Sequence, residues 1–255
     1  MNQLIIWKEL SLFIGINQIA ISKHQHPIIQ LIAGVDGPYL WKDNHGCWIE
    51  KNVLLVAPNH SHECNANGRK VVIISIDNES LLGEFVKERH LKTEPIIDFS
   101  STNRAFDFPK LVKLLANNQW HEIHQIIENI FGFKPSVPVS IKKDERIVKV
   151  LDHIKNNIDS DINTEVLMDV SCLSESRLLH LFKNQMGLPI RNYILWCRIK
   201  IAFNKIVEGN SLTKAAYQAG FSDQAHLTRN FVKTFGASPS SLLKNSKFVQ
   251  VFFPD

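Results

Sequence analysis

The order of hydrophobic and polar positions divides the chain into two kinds of sequence, and the first extends to about residue 78. Asp, Asn and Gly clusters interrupt its apolar runs and favour tight turns, because these residues adopt positive φ angles or bond to nearby backbone. Short strands at this spacing predict a small antiparallel barrel or sandwich. The runs rich in β-branched or aromatic residues are Ile28–Ala33, Tyr39–Lys42, Cys47–Ile49, Val53–Val56 and Val71–Ile76.

From about Glu79 the apolar spacing becomes helical, and residues 81–131 form three apolar stripes. These stripes are wider than one small barrel can cover, so they predict a dimer interface. Two prolines within Gly132–Pro138 then interrupt the helical pattern. We therefore predict a β domain over residues 1–80, a helical connector over 81–131, a linker over 132–143 and an all-helical domain over 144–245.

The helical domain contains an internal duplication, and each copy is typical of a helix, a short turn and a second helix. The copies span about residues 163–185 and 211–235. In the first copy, Asn163 or Thr164 is placed to cap the first helix and Ser174 to cap the second. In the second copy, Ser211 is placed to cap the first helix, Gly220 to end it, and Ser222 or Asp223 to cap the second helix. The repeated residues are Leu178, Phe182 and Gly187, which recur 49 positions later as Leu227, Phe231 and Gly236.

Two helices joined by a turn of about four residues form the arrangement that places its second helix in the DNA major groove. The alternative is a pair of helical hairpins that only pack together. Between the copies, Pro189–Val207 predicts one uninterrupted helix, about 28 Å long at 1.5 Å per residue. Because successive major grooves on one face lie about 34 Å apart, such a spacer favours two reading helices on one duplex.

Composition adds a charge asymmetry to this picture. Of the 255 residues, the first 139 carry 13 Lys and Arg against 14 Asp and Glu, whereas the remainder carry 16 against 11. A basic second half favours a polyanionic partner, although ordinary charge scatter also produces such a difference. A hydrophobic content of 44% excludes a disordered chain.

The compartment is predicted from apolar runs and cysteines. No apolar run reaches the roughly 18–20 residues of a membrane helix, so no membrane partner is expected. Lys8 and Glu9 interrupt the stretch that a signal peptide needs to be apolar. The cysteines are widely spaced and form no CxxC pair, which indicates reduced thiols. A cytoplasmic protein is therefore expected.

The second copy resembles the signature of the AraC/XylS family of bacterial transcription regulators, nearly position for position over Ala216–Phe231 and Phe235–Pro239. Leu54–His62 is similar to the cupin-like effector domain common in that family. The resemblance implies an α+β fold: an N-terminal cupin-like antiparallel β-barrel with a helical connector, then a C-terminal all-α double helix-turn-helix domain. It further implies a sequence-specific, effector-responsive transcription regulator and activator whose partners are double-stranded DNA, a small-molecule effector, RNA polymerase and a second copy in a homodimer.

The helical period separates a buried face from a DNA-facing side on each reading helix. Leu178, Phe182 and Met186 are predicted to face inward in the first copy, and Leu227, Phe231 and Phe235 in the second. A solvated helix face is the alternative for each outward residue. The predicted DNA-binding side chains are Ser176, Arg177, Leu179, His180, Lys183, Gln224, Ala225, Thr228 and Arg229, with Arg191 on a phosphate; the resemblance assigns base contacts to Ser176, Leu179, His180, Gln224, Ala225, Thr228 and Arg229.

Two His-x-His pairs, His24 with His26 and His60 with His62, lie on strand-like segments of the first half. Four imidazoles could hold a transition metal, which leaves a metal-dependent cupin enzyme fused to a DNA-binding domain as the alternative function. Structural histidines and effector contacts are the other interpretations. No catalytic motif stands out, so no enzyme, cofactor or bound metal is predicted. The predicted effector contacts are His24, His26, Trp41, Trp48 and His62, with Trp41 and Trp48 interpreted either as a cross-strand pair or as pocket walls.

Overall fold

The computed structural model describes residues 2–16, 18, 20–101, 107–135, 143–244 and 249–254. The chain separates into two compact units, each described here by itself. The β unit comprises residues 1–23, 28–141 and 243–255, and the helical unit comprises residues 24–27 and 142–242. Within the described residues, no helix has both the length and the apolar character needed to cross a membrane.

The strands form a seven-stranded sheet in the order β10-β7-β4-β9-β2-β1-β11 and a four-stranded sheet in the order β3-β8-β5-β6. β11 pairs with β1 in parallel, whereas the pairs β1–β2, β2–β9, β9–β4, β4–β7, β7–β10, β5–β6 and β5–β8 are antiparallel. The strand bounds are β1 Asn2–Ile6, β2 Leu10–Ile16, β3 Ile21–His24, β4 Ile28–Gly34, β5 Tyr39–Lys42, β6 Trp48–Lys51, β7 Val53–Val56, β8 His62–Asn65, β9 Lys70–Asp77, β10 Ile96–Asp98 and β11 Val249–Phe252.

The central strands of the larger sheet are buried on both faces. On one face, Leu31, Leu55 and Ile74 join a core that also contains helical side chains. On the other face, Ile32 and Leu54 join a second core, which includes residues of the smaller sheet. Because side chains alternate between the faces of a strand, two covered faces require continuous apolar runs. The antiparallel-rich β unit expected from these runs is confirmed.

The helices of the β unit cover one face of the larger sheet. They are α1 (Leu81–His90), α2 (Phe108–Ala116) and α3 (Trp120–Phe131), with a 3-10 turn at Phe99–Ser101. Their predicted apolar stripes are largely buried in the unit's own core. β1 and β2, which the sequence pattern did not assign, extend the sheet against which these helices pack, so one copy covers most of the stripes. The dimer interface stays a prediction.

The sequence pattern assigns no strand to residues 2–16 or to the C-terminus, where β1, β2 and β11 lie. β11 pairs with β1, although almost the whole sequence lies between the two strands. The pairing runs from Asn2 opposite Val249 to Ile5 opposite Phe252. A four-residue strand is too short for its periodicity to reveal a partner so distant in sequence. Of the predicted linker, residues 136–142 lie outside the described residues.

The helical unit consists of short helices around a longer one. It contains α4 Glu145–Asn156, α5 Thr164–Ser171, α6 Glu175–Met186, α7 Ile190–Val207, α8 Leu212–Gln218 and α9 Gln224–Phe235. A last helix, α10 Pro239–Lys244, begins in this unit and ends two residues past the division after residue 242.

Two adjacent phenylalanines test the attachment of β11. Phe252 lies 4.7 Å from Trp120 between ring centroids, whereas Phe253 is 52% exposed. We expect Phe252→Ala to lower the free energy of unfolding by about 1–2 kcal/mol, because an aromatic pair and apolar burial are lost. Phe253→Ala, the matched control, should change it by less than about 0.5 kcal/mol. Urea unfolding followed by tryptophan fluorescence measures both, and equal losses would contradict the packing.

Candidate nucleic-acid interface

The first helix-turn-helix is formed by α5 and α6. The Asn163 side chain accepts a hydrogen bond from the main-chain N–H of Val166 at 2.9 Å, so one of the two predicted caps is confirmed. The turn passes through Cys172, which has a φ of 53° and thus occupies the left-handed region usually taken by glycine. Ser174 has the N-cap position of α6, but its side chain makes no capping bond there.

Two contacts hold α6 against its neighbours. Phe182 is fully buried and meets Tyr193 of α7 edge to face, with ring centroids 5.5 Å apart. At the end of α6, the Gln185 side chain accepts a hydrogen bond from the main-chain N–H of Asp144 at 3.0 Å. Asp144 itself caps α4, and hydrogen bonds from Arg146 lower the pKa of its carboxyl to about 2. The carboxylate therefore remains ionised at neutral pH.

The second helix-turn-helix is formed by α8 and α9, and a side chain caps the start of each of its two helices. Ser211 accepts a hydrogen bond from the main-chain N–H of Lys214 at 3.2 Å, which confirms the predicted cap. Asp223 caps α9 by accepting from the main-chain N–H of His226 at 2.6 Å. That hydrogen bond, with others from Ser222 and Ala225, keeps the pKa of Asp223 below its ordinary value. An ionised cap also suits the positive end of the helix dipole.

Gly220 lies at the tight turn between α8 and α9. Its φ is 77°, and a Cβ added there would lie 2.9 Å from the Ile158 carbonyl oxygen and 3.0 Å from Arg198 Nε. Arg198 donates to that same carbonyl at 3.1 Å and to the Ser160 carbonyl at 2.7 Å. The turn therefore needs glycine for its backbone angle and also for the close approach of the loop after α4.

The spacer α7 separates the two copies, as predicted. Its 18 residues correspond to about 27 Å at 1.5 Å per residue. One side of the helix is buried in the unit, at Tyr193, Trp196, Cys197, Ile199 and Ala202. Pro189 precedes its first turn, where a missing N–H costs no helical hydrogen bond.

The reading helices, α6 and α9, present all of the predicted outward residues except Thr228 to solvent. Leu178, Phe182, Leu227 and Phe231 are fully buried, so the predicted inward faces are confirmed at these positions. Thr228 is half-buried. The exposed members of the predicted DNA-binding set are Ser176, Arg177, Leu179, His180, Lys183, Gln224, Ala225, Arg229 and Arg191.

Sequence reasoning missed the residue that holds Gln224. The Thr213 hydroxyl on α8 donates a hydrogen bond to Gln224 Oε1 at 2.9 Å. Thr228 donates to the main-chain carbonyl of Gln224 at 2.8 Å. Helical periodicity within α9 indicates the contact to Thr228, four positions along. The contact to Thr213 depends on how α8 crosses α9, for which the sequence carries no local signal.

The residues predicted to contact an effector are divided between the units. Segment 24–27 groups with the helical unit, where His24 and His26 are buried with ring centroids 5.4 Å apart. Imidazoles are good ligands for transition metals, so this pair could hold a metal ion. In the β unit, Trp41 stacks on His62, with centroids 5.6 Å apart and planes at 7°. His62 is also buried, and its Nδ1 donates to the His60 carbonyl at 2.9 Å.

The predicted cross-strand pair of Trp41 and Trp48 is wrong. The register of β5 and β6 sets Trp41 opposite Ile49 and Lys42 opposite Trp48, so the two indoles lie on opposite faces of the sheet. Trp41 is buried, whereas Trp48 is 42% exposed, with Lys42 Nζ 5.3 Å from its ring centroid. The turn between the strands sets this register, and the sequence did not reveal it.

Comparisons with known proteins identify the family. A helix-turn-helix domain model matches residues 167–245. The probable transcriptional regulator LumQ of Photobacterium leiognathi is 33% identical over 231 residues, which cover 85% of this chain and 90% of LumQ. This chain belongs to the AraC/XylS family of transcription regulators. α6 and α9 are therefore the second helices of the two helix-turn-helix motifs of a DNA-binding regulator.

One further relative and one solved structure show how far the similarity of this chain to known proteins extends. The arabinose operon regulatory protein of Escherichia coli strain K12 is 32% identical over 101 residues, 38% of this chain and 34% of that protein. An apo structure of ToxT from Vibrio cholerae aligns over 93% of this chain and 97% of ToxT, with a TM-score of 0.59 and 15% identity. The regulator shares its fold with ToxT.

Gly220 and Gly209 provide a matched test of the turn in this regulator. Gly209→Ala adds backbone strain alone, since φ is 92° and a Cβ would meet no described atom within 4 Å. We expect it to cost about 1 kcal/mol of stability. Gly220→Ala adds the clash with the Ile158 carbonyl and should cost about 2–4 kcal/mol. Thermal unfolding measures the difference, and equal costs would show that the close approach is unimportant.

Proposed function

We propose that this regulator binds an operator through α6 and α9, inserted into successive major grooves of one duplex, and that it activates transcription. The observation that carries the proposal is the duplication itself: two helix-turn-helix motifs with apolar residues buried and polar residues exposed at equivalent positions. Contact with RNA polymerase at the promoter is part of this proposal.

The proposed base contacts lie near the N-terminal ends of the reading helices, which reach deepest into the groove. They are made by Ser176, Leu179, His180, Gln224, Ala225, Thr228 and Arg229. Arg can bind guanine through O6 and N7, and the apolar side chains suit the thymine methyl group. Arg177, Lys183 and Arg191 are exposed cations and are proposed to bind phosphates, which position a protein without reading sequence.

We also propose that a small molecule binds the N-terminal part of this regulator and changes its affinity for DNA. Solved structures of ToxT include one with (E)-4-(8-methylnaphthalen-1-yl)but-3-enoic acid and one with an unsaturated fatty acid. Of the predicted effector contacts, we propose Trp41 and His62, which stack on each other in the β unit. His24 and His26 group with the helical unit, and Trp48 lies on the opposite face of the sheet from Trp41. Trp41 and His62 offer aromatic surface and imidazole nitrogens, the two kinds of group that a mixed polar and apolar ligand needs.

The remaining expectations are a cytoplasmic location, a homodimer, a cupin-like β domain and no catalytic activity. The domain limits proposed are 1–80, 81–131, 132–143 and 144–245. The metal-dependent enzyme remains the competing function, and metal analysis of the purified protein separates the two. A stoichiometric transition metal would favour the enzyme.

Selection of bound DNA from a random pool, with and without cell extract, tests the proposed function. We expect one sequence with two half-sites about one helical turn apart to be enriched, because α6 and α9 belong to one chain. An effector in the extract should change the enrichment. Binding without any sequence preference would contradict the proposal.

Arg229 and Arg191 give a matched pair within the enriched sequence. We expect Arg229→Ala to lose about 1–3 kcal/mol at one base pair and to relax the preference there, because a base contact is removed. Arg191→Ala should weaken binding to all duplexes equally. It should also reduce the slope of log affinity against log salt concentration by about one, the value for one phosphate contact. Competition binding at several salt concentrations measures both. A uniform loss for Arg229→Ala would reassign that side chain to a phosphate.

A further inference from the structure

We propose that Thr213 determines the base specificity of Gln224. By occupying the amide oxygen of Gln224, it leaves only N–H donors to contact a base in the major groove, and such donors suit guanine. Thr213 lies in the first turn of α8, outside the reading helix, and is not among the predicted DNA contacts. The inference rests on the proposed function, because it assumes that α9 enters a major groove. It adds the identity of the base that one side chain selects.

The hydrogen bond between the two side chains fixes the orientation of the Gln224 amide. Thr213 Oγ1 donates to Gln224 Oε1 at 2.9 Å, so the carbonyl end of the amide is turned toward α8. The amide nitrogen, with its two N–H groups, is then the end left to meet a ligand. Both side chains are exposed, so the amide is accessible to a duplex. The bond strengthens when DNA excludes water from it.

This orientation changes which base glutamine can recognise. A freely rotating glutamine binds adenine with both ends of its amide, donating to N7 and accepting from the N6 amino group. With Oε1 turned toward Thr213, the acceptor for N6 is missing. Guanine presents two acceptors in the groove, O6 and N7, and an amide nitrogen can donate to both. A donor-only Gln224 therefore favours guanine over adenine.

The residues next to Gln224 on α9 also favour a base that accepts hydrogen bonds. Thr228 uses its hydroxyl proton on the main-chain carbonyl of Gln224 at 2.8 Å, which leaves its methyl group and lone pairs for a ligand. Arg229, one position further, carries only donors. Its charge lies near enough to Asp223 to contribute to the lowered pKa of that carboxyl. The N-terminal half of α9 thus offers N–H donors at two positions, both suited to guanine.

The first copy cannot make the same bond. Glu165 and Glu175 occupy the positions that correspond to Thr213 and Gln224, 48 and 49 residues earlier, and both are exposed. An ionised carboxylate only accepts hydrogen bonds, so Glu175 suits the amino group of cytosine. The two reading helices therefore differ in hydrogen-bond chemistry at the same helical position.

Four variants of the full-length protein test the inference on the DNA sequence enriched from the random pool. Gln224→Ala first identifies the base pair at which preference is lost. Duplexes carrying each of the four base pairs there are then compared by competition binding. We expect the unaltered protein to prefer guanine over adenine by about tenfold, in the range for a specific base contact. Thr213→Val, which removes the hydroxyl but keeps the shape, should reduce that ratio to about twofold or less.

Two controls separate this effect from a change in folding. Thr213→Ser keeps the hydroxyl and should keep the guanine preference. Gln224→Glu keeps an acceptor for Thr213 but removes the N–H donors, so its preference should move toward cytosine at the same base pair. Thermal unfolding of each variant checks that α8 is intact. If Thr213→Val is unstable, the guanine-to-adenine ratio of the unaltered protein still decides, because a Gln224 that Thr213 does not orient would prefer adenine.

The outcomes distinguish the inference from the proposed function. An adenine preference in the unaltered protein, or an identical four-base profile for Thr213→Val, would overturn the role of Thr213 while leaving sequence-specific binding in place. If the random pool yields no enriched sequence, the proposed function fails first. A uniform loss of affinity in Thr213→Val, with the guanine preference unchanged, would make Thr213 a structural residue and also overturn the inference.

Discussion

The exposed reading surface depends on close packing between the two helices of each motif. In the second copy, Ala215, Ala216 and Ala219 are fully buried, and these small side chains allow α8 to approach α9. Leu227 and Phe231 of α9 are also fully buried in the unit. Once apolar burial has taken these positions, the helical period leaves the polar side of α9 exposed. The side of α9 that faces solvent is therefore set by apolar packing and not by its polar contacts.

The same reasoning explains which parts of the structure the sequence predicts. Helical periodicity predicted the buried and exposed sides of α6 and α9, because each side depends only on residues three or four positions apart. Turn chemistry predicted Asn163, Ser211 and Gly220, since caps and tight turns are local. The strands over Tyr39–Lys42 and Val53–Val56 were found for the same reason.

What the sequence did not reveal depends on partners that are distant along the chain. The pairing of β1 with β11 joins the first and the last described strands, and it places Phe252 against the core of the β unit. The register that separates Trp41 from Trp48 is a property of two strands and their turn together. The bond from Thr213 to Gln224 requires the crossing of two helices. None of these can be read from the period of a single segment.

The second copy is one residue longer than the first, and the additional residue has a structural role. The second copy has an extra position between the serine that follows the turn and the first residue of its reading helix, and Asp223 fills it. Asp223 supplies the side-chain cap that Ser174 does not make in the first copy. With Gly220 in place of Cys172 at the left-handed turn, the second motif has less backbone strain and a better satisfied helix start. The extra capping residue therefore satisfies a main-chain N–H at the start of α9 that has no such side-chain partner in α6, and it stabilises the end of the helix that carries Gln224 and Arg229.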